Sequence, residues 1–431
     1  MTGIFGGRLR TAGAAPSPTA GKVRDPYFDN ARALLIVLVV VGHVIARSDS
    51  EAADGLYTWI YAFHMPAFIL VSGFLARNFT ATAGQCGKLL TSVVVPYVVF
   101  DLLYSLLDAA VSGNRPTFSP ASPAFTLWFL FALVAWRLMV PLLRVLRMPV
   151  AITIALSLAA SFGTGTGSNP LDRIFSFLPF FAIGVALTPE RIARFRAFTD
   201  GLPARLAALG VLVGGLGVAY LLRDVVPRAA LQMKGGFLEG HDSNVDGLLW
   251  RLAVIAAALL LTAALLAVTP RGKSVLTSLG QATLYVYLLH GLLLVHLLGR
   301  IGDWIAEWPQ LAVACLAATA LAFLLGSPPV RWATRWLIEP KAAWLLRPAP
   351  QPVTSPAAGP EAVGQRPGDV PFAEVQPEGP AGAALTEATM RLPVVPQPTE
   401  PATSSRPPAV PTQREPYGDL PVRDWERRPG Q

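Results

Sequence analysis

Ten apolar stretches recur along this chain, at about 31–47, 57–76, 89–110, 124–143, 148–163, 173–188, 203–222, 248–268, 279–299 and 309–326. An α-helix rises about 1.5 Å per residue, so roughly 17–25 apolar residues cross the ~30 Å hydrocarbon layer of a membrane. Only helices and closed barrels satisfy their backbone polar groups in lipid. The runs are too long for barrel strands, which leaves an all-α, polytopic integral membrane protein with about ten transmembrane helices. Charged residues make up 14% of the 431 positions, against about 25% in soluble domains. Too few charges remain to cover a water-facing surface.

Lys and Arg set the expected orientation. With the N-terminus cytoplasmic, the inward loops hold Arg77 and Lys88, then Arg144 and Arg147, then Arg191, Arg194, Arg196 and Arg205, then Arg271 and Lys273. The outward connections are poorer in basic residues, the first reading RSDSEAAD. The exception is the connection at about 223–247, with Arg223, Arg228 and Lys234. This alternation predicts a multi-pass cell-membrane protein with both termini cytoplasmic. The net charge of +8 is absorbed by those loops, and no nucleic-acid motif accompanies it. Residues 1–26 form a short basic segment without the apolar core of a cleavable leader. Residues 27–346 hold the apolar stretches. Residues 347–431 are rich in Pro, Ala, Gly, Glu and Thr and predict a disordered cytoplasmic tail, since such a segment cannot bury enough surface to offset its ordering entropy. Cys86 and Cys315 have no nearby partner, so neither a metal site nor a disulfide framework is expected.

Ionisable residues inside apolar stretches are the candidates for chemistry, because each is costly in lipid. The first stretch reads YFDNARALLIVLVVVGH over 27–43. His43 lies three turns past Arg32 on the same helix face, roughly 16 Å deeper. It is either a core histidine with a satisfied hydrogen bond or a general base, a role its near-neutral titration suits. The second stretch contains FHMPAFILVSGFLAR over 63–77. His64 falls at a depth similar to His43, Pro66 breaks the backbone ladder, and Gly73 with Ser72 permits close helix approach. The fourth contains LWFLFALVAWR over 127–137, with Trp128 towards the outer interface and Arg137 towards the inner side. The ninth contains LGQATLYVYLLH over 279–290, with His290 near mid-membrane and Tyr287 one turn before it. The GVLVG run in the seventh, at Gly210 and Gly214, reads as a weak helix-contact motif. No phosphate loop, nucleophile elbow or metal-binding helix is present.

These four segments, in this order, resemble the acyltransferase family 3 of membrane O-acyltransferases, especially its fucose 4-O-acetylase-like branch. The resemblance spans about 27–340. It implies transfer of an acyl group, acetyl above all, from cytoplasmic acyl-CoA to a hydroxyl of a cell-surface glycan or glycosylated small molecule. The family's first-helix histidine corresponds to His43 and its first-helix arginine to Arg32. Some members carry two arginines three residues apart after the second or third helix; here Arg77 stands alone. The implied catalytic set is therefore His43, with His64 and His290 as secondary candidates. The implied donor-binding set is Arg32, Arg77 and Arg137. Acyl-CoA is a co-substrate, and no tightly bound cofactor or metal is implied. The rival reading is a multi-pass transporter of a lipid-linked or small solute, with the same histidines and arginines lining its path.

Overall fold

A computed structural model describes residues 24–346, apart from 49, 114, 117, 119, 163–169 and 234–243. The expected disordered tail, most of the basic N-terminal segment and Lys234 lie outside the described residues. The described chain runs α1 (Pro26–Ile45), α2 (Glu51–Ala76), α3 (Ala83–Leu89), α4 (Val95–Ser112), α5 (Trp128–Val145), α6 (Pro149–Ala159), α7 (Pro170–Ala186) and α8 (Pro189–Phe198). It continues through α9 (Leu202–Leu221), α10 (Arg228–Leu231), α11 (Asn244–Val268), α12 (Val275–Gln281), α13 (Thr283–Leu294), α14 (Leu298–Trp304), α15 (Trp308–Leu325) and α16 (Pro328–Ile338).

All ten expected stretches are helical, but their lengths differ from the expected ten full spans. Among the described residues, seven helices are long and apolar enough to cross a membrane, or eight if α7 and α8, bent by 90°, count as one broken span. The stretch at 148–163 becomes the 11-residue α6, and the ninth is split into α12 and the 12-residue α13. At ~1.5 Å per residue neither α6 nor α13 alone spans the hydrocarbon. A hydropathy window sees composition and passes over a break such as that at Ala282, where ψ is 10°.

The α1 and α2 helices form the centre, with α1 almost wholly buried. Pro26 and the Asp25 side chain, which accepts from the Tyr27 N–H, start α1, as a proline in the first turn and an acidic cap should. Glycines set the closest crossings. A Cβ on Gly73 would lie 2.3 Å from the Phe181 carbonyl oxygen, and one on Gly184 would lie 2.1 Å from that of Leu70. The close approach expected at Gly73 is thus made, against α7. The GVLVG reading needs correction: a Cβ at Gly210 or Gly214 would meet open space, while Gly215 packs on Leu261 and Trp59. Glycine spacing marks a thin face of a helix but does not say which partner covers it. Between α3 and α4 the helix widens into a π-turn over Leu90–Val94. Pro96 has no N–H for the preceding turn, and the Thr91 and Ser92 hydroxyls bond back to Gly87 and Lys88 carbonyls.

Polar side chains gather at the two ends of α1. Where α1 ends, Arg223 pairs with Glu51 at 2.9 Å and Arg228 pairs with Asp54. The arginines that broke the charge alternation are therefore neutralised by the acidic RSDSEAAD segment. Where α1 begins, Arg196 pairs with Asp25 at 2.8 Å, and Arg271 pairs with Asp200.

Candidate active site

The first helix carries both poles of the site. At its start, Asp29 is buried and accepts from three directions: Arg24 at 2.8 Å, Arg32 one turn on, and Gln281 Nε2 at 3.3 Å. Two guanidinium groups on one carboxylate leave a net positive charge at this mouth. Gln281 belongs to the LGQ of α12, and its neighbour Gly280 lets the α12 backbone lie against Asp29, where a Cβ would come within 1.8 Å of the Asp29 carbonyl oxygen. Asn30 completes the joint. Its Nδ2 donates to the Pro270 and Gly272 carbonyls, each at 2.8 Å, and its Oδ1 accepts from Ser274 and Thr277 hydroxyls. All the amide's bonding capacity is spent on the turn entering α12, so Asn30 is structural.

Arg77 caps α2 at the same end. It donates to the Phe74 carbonyl at 2.8 Å and lies 4.0 Å above the Phe74 ring. Phe74 stacks on Phe28 of α1 at 4.6 Å, which ties the Arg77 end of α2 to the first turn of α1. Arg137 is half-buried in α5 with its Nε occluded and unpartnered. No hydrogen bond, ion pair or ring contact among the described residues joins Arg137 to Arg32 or to the histidines.

Three turns along α1, the histidines meet. The His43 ring lies 5.4 Å from the His290 ring. Tyr61 stands 6.4 Å from His43 and 4.8 Å from His64, bridging the other two. His64 is buried and its Nδ1 donates to the Ile60 carbonyl at 2.7 Å. His290 is completely buried, and its Nδ1 donates to the Val286 carbonyl at 2.9 Å. A carbonyl only accepts, so the proton sits on Nδ1 and the His290 Nε2 keeps its lone pair. That atom is occluded and has no partner. His43 makes no side-chain hydrogen bond to a described residue and keeps partial accessibility at the centre of the bundle. Pro66, two residues past His64, frees the Ala62 carbonyl in the turn that carries Tyr61 and His64.

The fourth wall is the segment entering α5, which no motif announced. Phe125 adopts φ 42°, a left-handed conformation that costs a non-glycine residue roughly 1–2 kcal/mol. Its ring lies 5.3 Å from His43. The segment is clamped to hold it there. Asp101 accepts from the Ala124 N–H at 3.2 Å, Tyr97 donates to the Pro120 carbonyl at 2.6 Å, and Tyr287 donates to the Thr126 carbonyl. Gly291 leaves room for Tyr104 and Thr126, whose oxygens would lie 2.1 and 2.7 Å from a Cβ. Sequence reading also passed over Arg173. It opens α7 with its guanidinium 4.9 Å from the Trp128 ring centre, within electrostatic reach of His43, Tyr61 and Tyr287. A separate apolar cavity of about 440 Å³, lined by Val44, Leu294, Trp304 and Ala318, contains none of these residues.

An unpaired histidine ring, a second imidazole with its tautomer set, and a pair of arginines on one carboxylate thus lie along a single helix. The profile of acyltransferase family 3, described as an acyltransferase domain, matches residues 25–327. The chain belongs to that family. The match takes in the site from Asp29 to Gly291; Arg24 lies one residue before it. The nodulation protein NolL of Mesorhizobium japonicum is 26% identical over 196 residues, covering 41% of this chain and 51% of that protein. The NolL of Sinorhizobium fredii is 29% identical over 127 residues, covering 26% of this chain and 34% of that protein. The chain thus spans about half of the length of the first of these relatives and about a third of the second. No solved structure matches. As an acyltransferase family 3 member with multiple apolar helices, the chain is a multi-pass membrane protein; the comparisons assign it no branch within the family.

Proposed function

We propose that this acyltransferase moves an acyl group, acetyl above all, from acyl-CoA on the cytoplasmic side to a hydroxyl of a cell-surface glycan or glycosylated small molecule. The observation that carries the reading is His43: unpartnered ring nitrogens in the centre of the bundle, on the α1 face that leads back to a net-positive mouth at Arg32. A ring nitrogen of His43 takes the hydroxyl proton as the oxygen bonds to the thioester carbon. The carbon–sulfur bond then breaks, and the thiolate leaves as coenzyme A with that proton. Proton transfer of this kind contributes typically about 10²–10⁴ in rate. His290, 5.4 Å from His43, orients the acceptor, its Nε2 lone pair accepting from a second acceptor hydroxyl rather than from the one that His43 deprotonates. His64 supports Tyr61 from behind.

Arg32 grips the donor phosphates, as a forked guanidinium does bidentately. Arg24 supplies the second charge on Asp29, and Arg77 extends the cationic mouth. Arg137, half-buried in α5 with an unpartnered Nε, is the remaining donor-side candidate and contributes to the field at the inner side. The ~16 Å from Arg32 to His43 suits a long, flexible donor arm. The protein resides in the cell membrane with both termini cytoplasmic, a reading supported by the loop arginines and by the pairing of Arg223 and Arg228 with Glu51 and Asp54.

The test is acetyl-CoA-dependent transfer by the full chain in proteoliposomes, together with mass spectrometry of surface glycans and secreted glycosides from cells with and without the gene. An acetyl increment that tracks the protein names the acceptor. Wild-type transfer by His43→Gln would sink the assignment of the base.

A further inference from the structure

No carboxylate among the described residues pairs with Arg173. None of the ion pairs among the described residues includes it, and its Nε is occluded with no hydrogen-bond partner. What faces it is aromatic. The guanidinium lies over Trp128 at 4.9 Å, and Trp128 stacks on Phe177 at 5.4 Å. Its charge also acts on Tyr57, Tyr61, Tyr287 and His43.

A guanidinium stays protonated in proteins. Taking it out of water without a counter-ion costs several kcal/mol, and one cation–π contact returns only about 0.5–2 kcal/mol. The fold holds this half-buried guanidinium, its Nε occluded, within electrostatic reach of His43, where a reaction would develop negative charge. A charge that appears only in the transition state is met best by a fixed, already desolvated cation, because nothing must reorganise when it forms.

We propose that Arg173 is a catalytic residue that stabilises the oxyanion of acyl transfer, an inference that rests on the acyltransferase reading above. As His43 removes the acceptor's proton, the acceptor oxygen bonds to the thioester carbon and the C=O π pair moves onto the carbonyl oxygen. That oxygen, now negative, is held by Arg173. The pair then returns to re-form C=O, the carbon–sulfur bond breaks, and the thiolate leaves with the proton from His43. The alternative occupant, a permanently anionic acceptor, would meet the same guanidinium in the ground state, and kinetics separate the two.

The experiment uses the full chain in proteoliposomes with acetyl-CoA, reading coenzyme A thiol release with water and with methyl α-L-fucoside as acceptor probes. For Arg173→Gln, kcat should fall about 10²–10³, the range for loss of one oxyanion-hole donor, with both KM values within about threefold. Arg173→Lys should recover part of kcat, since it keeps the charge but loses the planar fork. Retained kcat in Arg173→Gln, or a raised acceptor KM at unchanged kcat, would overturn the proposal. Should Arg173→Gln fail to insert, Arg173→Lys decides: reduced kcat at unchanged KM supports the role, and wild-type kinetics overturn it. Full thiol release by His43→Gln, or none by the wild type, overturns the acyl-transfer reading and this role with it. Activity lost in His43→Gln but intact in Arg173→Gln overturns Arg173 alone.

Discussion

At the scale of single residues, the site separates groups already committed to a partner from groups that are not. Asn30 has every bonding position filled by the turn before α12. His290 has one nitrogen tied to Val286 and the other occluded and unpartnered, its ring 5.4 Å from that of His43. His43 has neither tied. That ordering predicts the mutants. His43→Gln should lose nearly all transfer at normal membrane levels, because glutamine reaches similarly but does not accept a proton at neutral pH. His290→Ala should keep a measurable fraction; full loss there with near-normal His43→Gln activity would move the base to α13. Arg32→Ala should raise the KM for acyl-CoA strongly and Arg32→Lys more weakly, as expected for a bidentate phosphate grip. An unchanged donor dependence would remove Arg32 from the donor site. Gly280→Ala places a methyl on the Asp29 carbonyl, and overpacking of this kind costs about 1–3 kcal/mol. Its melting temperature should drop, and insertion at wild-type stability would show that the α1–α12 joint is more pliant than its geometry.

Elements bring these residues together by being broken. The long α2 holds Pro66 in its interior and carries Tyr61 and His64 on the turn before it. The ninth stretch breaks at Ala282, which lets α12 pack flat on the start of α1 while α13 points His290 at His43. The segment before α5 is held in a left-handed turn at Phe125 by three tyrosine and aspartate contacts. Backbone strain of this sort persists only where surroundings enforce it. Tyr287→Phe removes one clamp, a hydrogen bond with a net worth of about 0.5–1.5 kcal/mol. Stability should fall by that amount while transfer falls further, about tenfold, because Phe125 no longer closes on His43. Parallel losses in stability and activity, or neither, would argue that the segment is only a cover.

For the whole molecule, the arrangement to be tested is orientation. Reporter fusions after Arg77, Arg196 and Lys273 should report the cytoplasm, and fusions after Asp54 and Asp303 the outside. The Lys273 fusion is the most informative, since it lies beyond both the short α6 and the 90° bend between α7 and α8. A reversed signal there would mean that one of those elements does not cross. Charge at the outer end carries a second expectation. Asp54→Asn leaves Arg228 without its partner and should weaken the lock between α10 and α2, seen as faster proteolysis of the connection that follows α9. Unchanged digestion would show that the pair contributes no more than a typical exposed ion pair, about 0–1 kcal/mol.

Composition and periodicity alone determined that the chain is helical, that it lives in a membrane, which stretches are apolar, and that His43 shares a face with Arg32. These are properties of one helix and its solvent, fixed by a 1.5 Å rise, a 100° step and the cost of charge in lipid. The four segments that carried the family resemblance also marked His64 and His290 as companions. Tertiary structure decided the rest. It brought His290 of α13 against His43 of α1, residues 247 positions apart in the chain of 431, and put Tyr61 between His43 and His64. It shortened the fifth and ninth stretches and moved the α9 contact from Gly210 and Gly214 to Gly215. It also added Phe125 and Arg173, one in an irregular segment and the other at a helix start, where neither a motif nor a periodic face announces a side chain. Contacts between elements depend on crossing angles and on where each helix breaks, and those follow from packing many chains of side groups at once rather than from the pattern along any one.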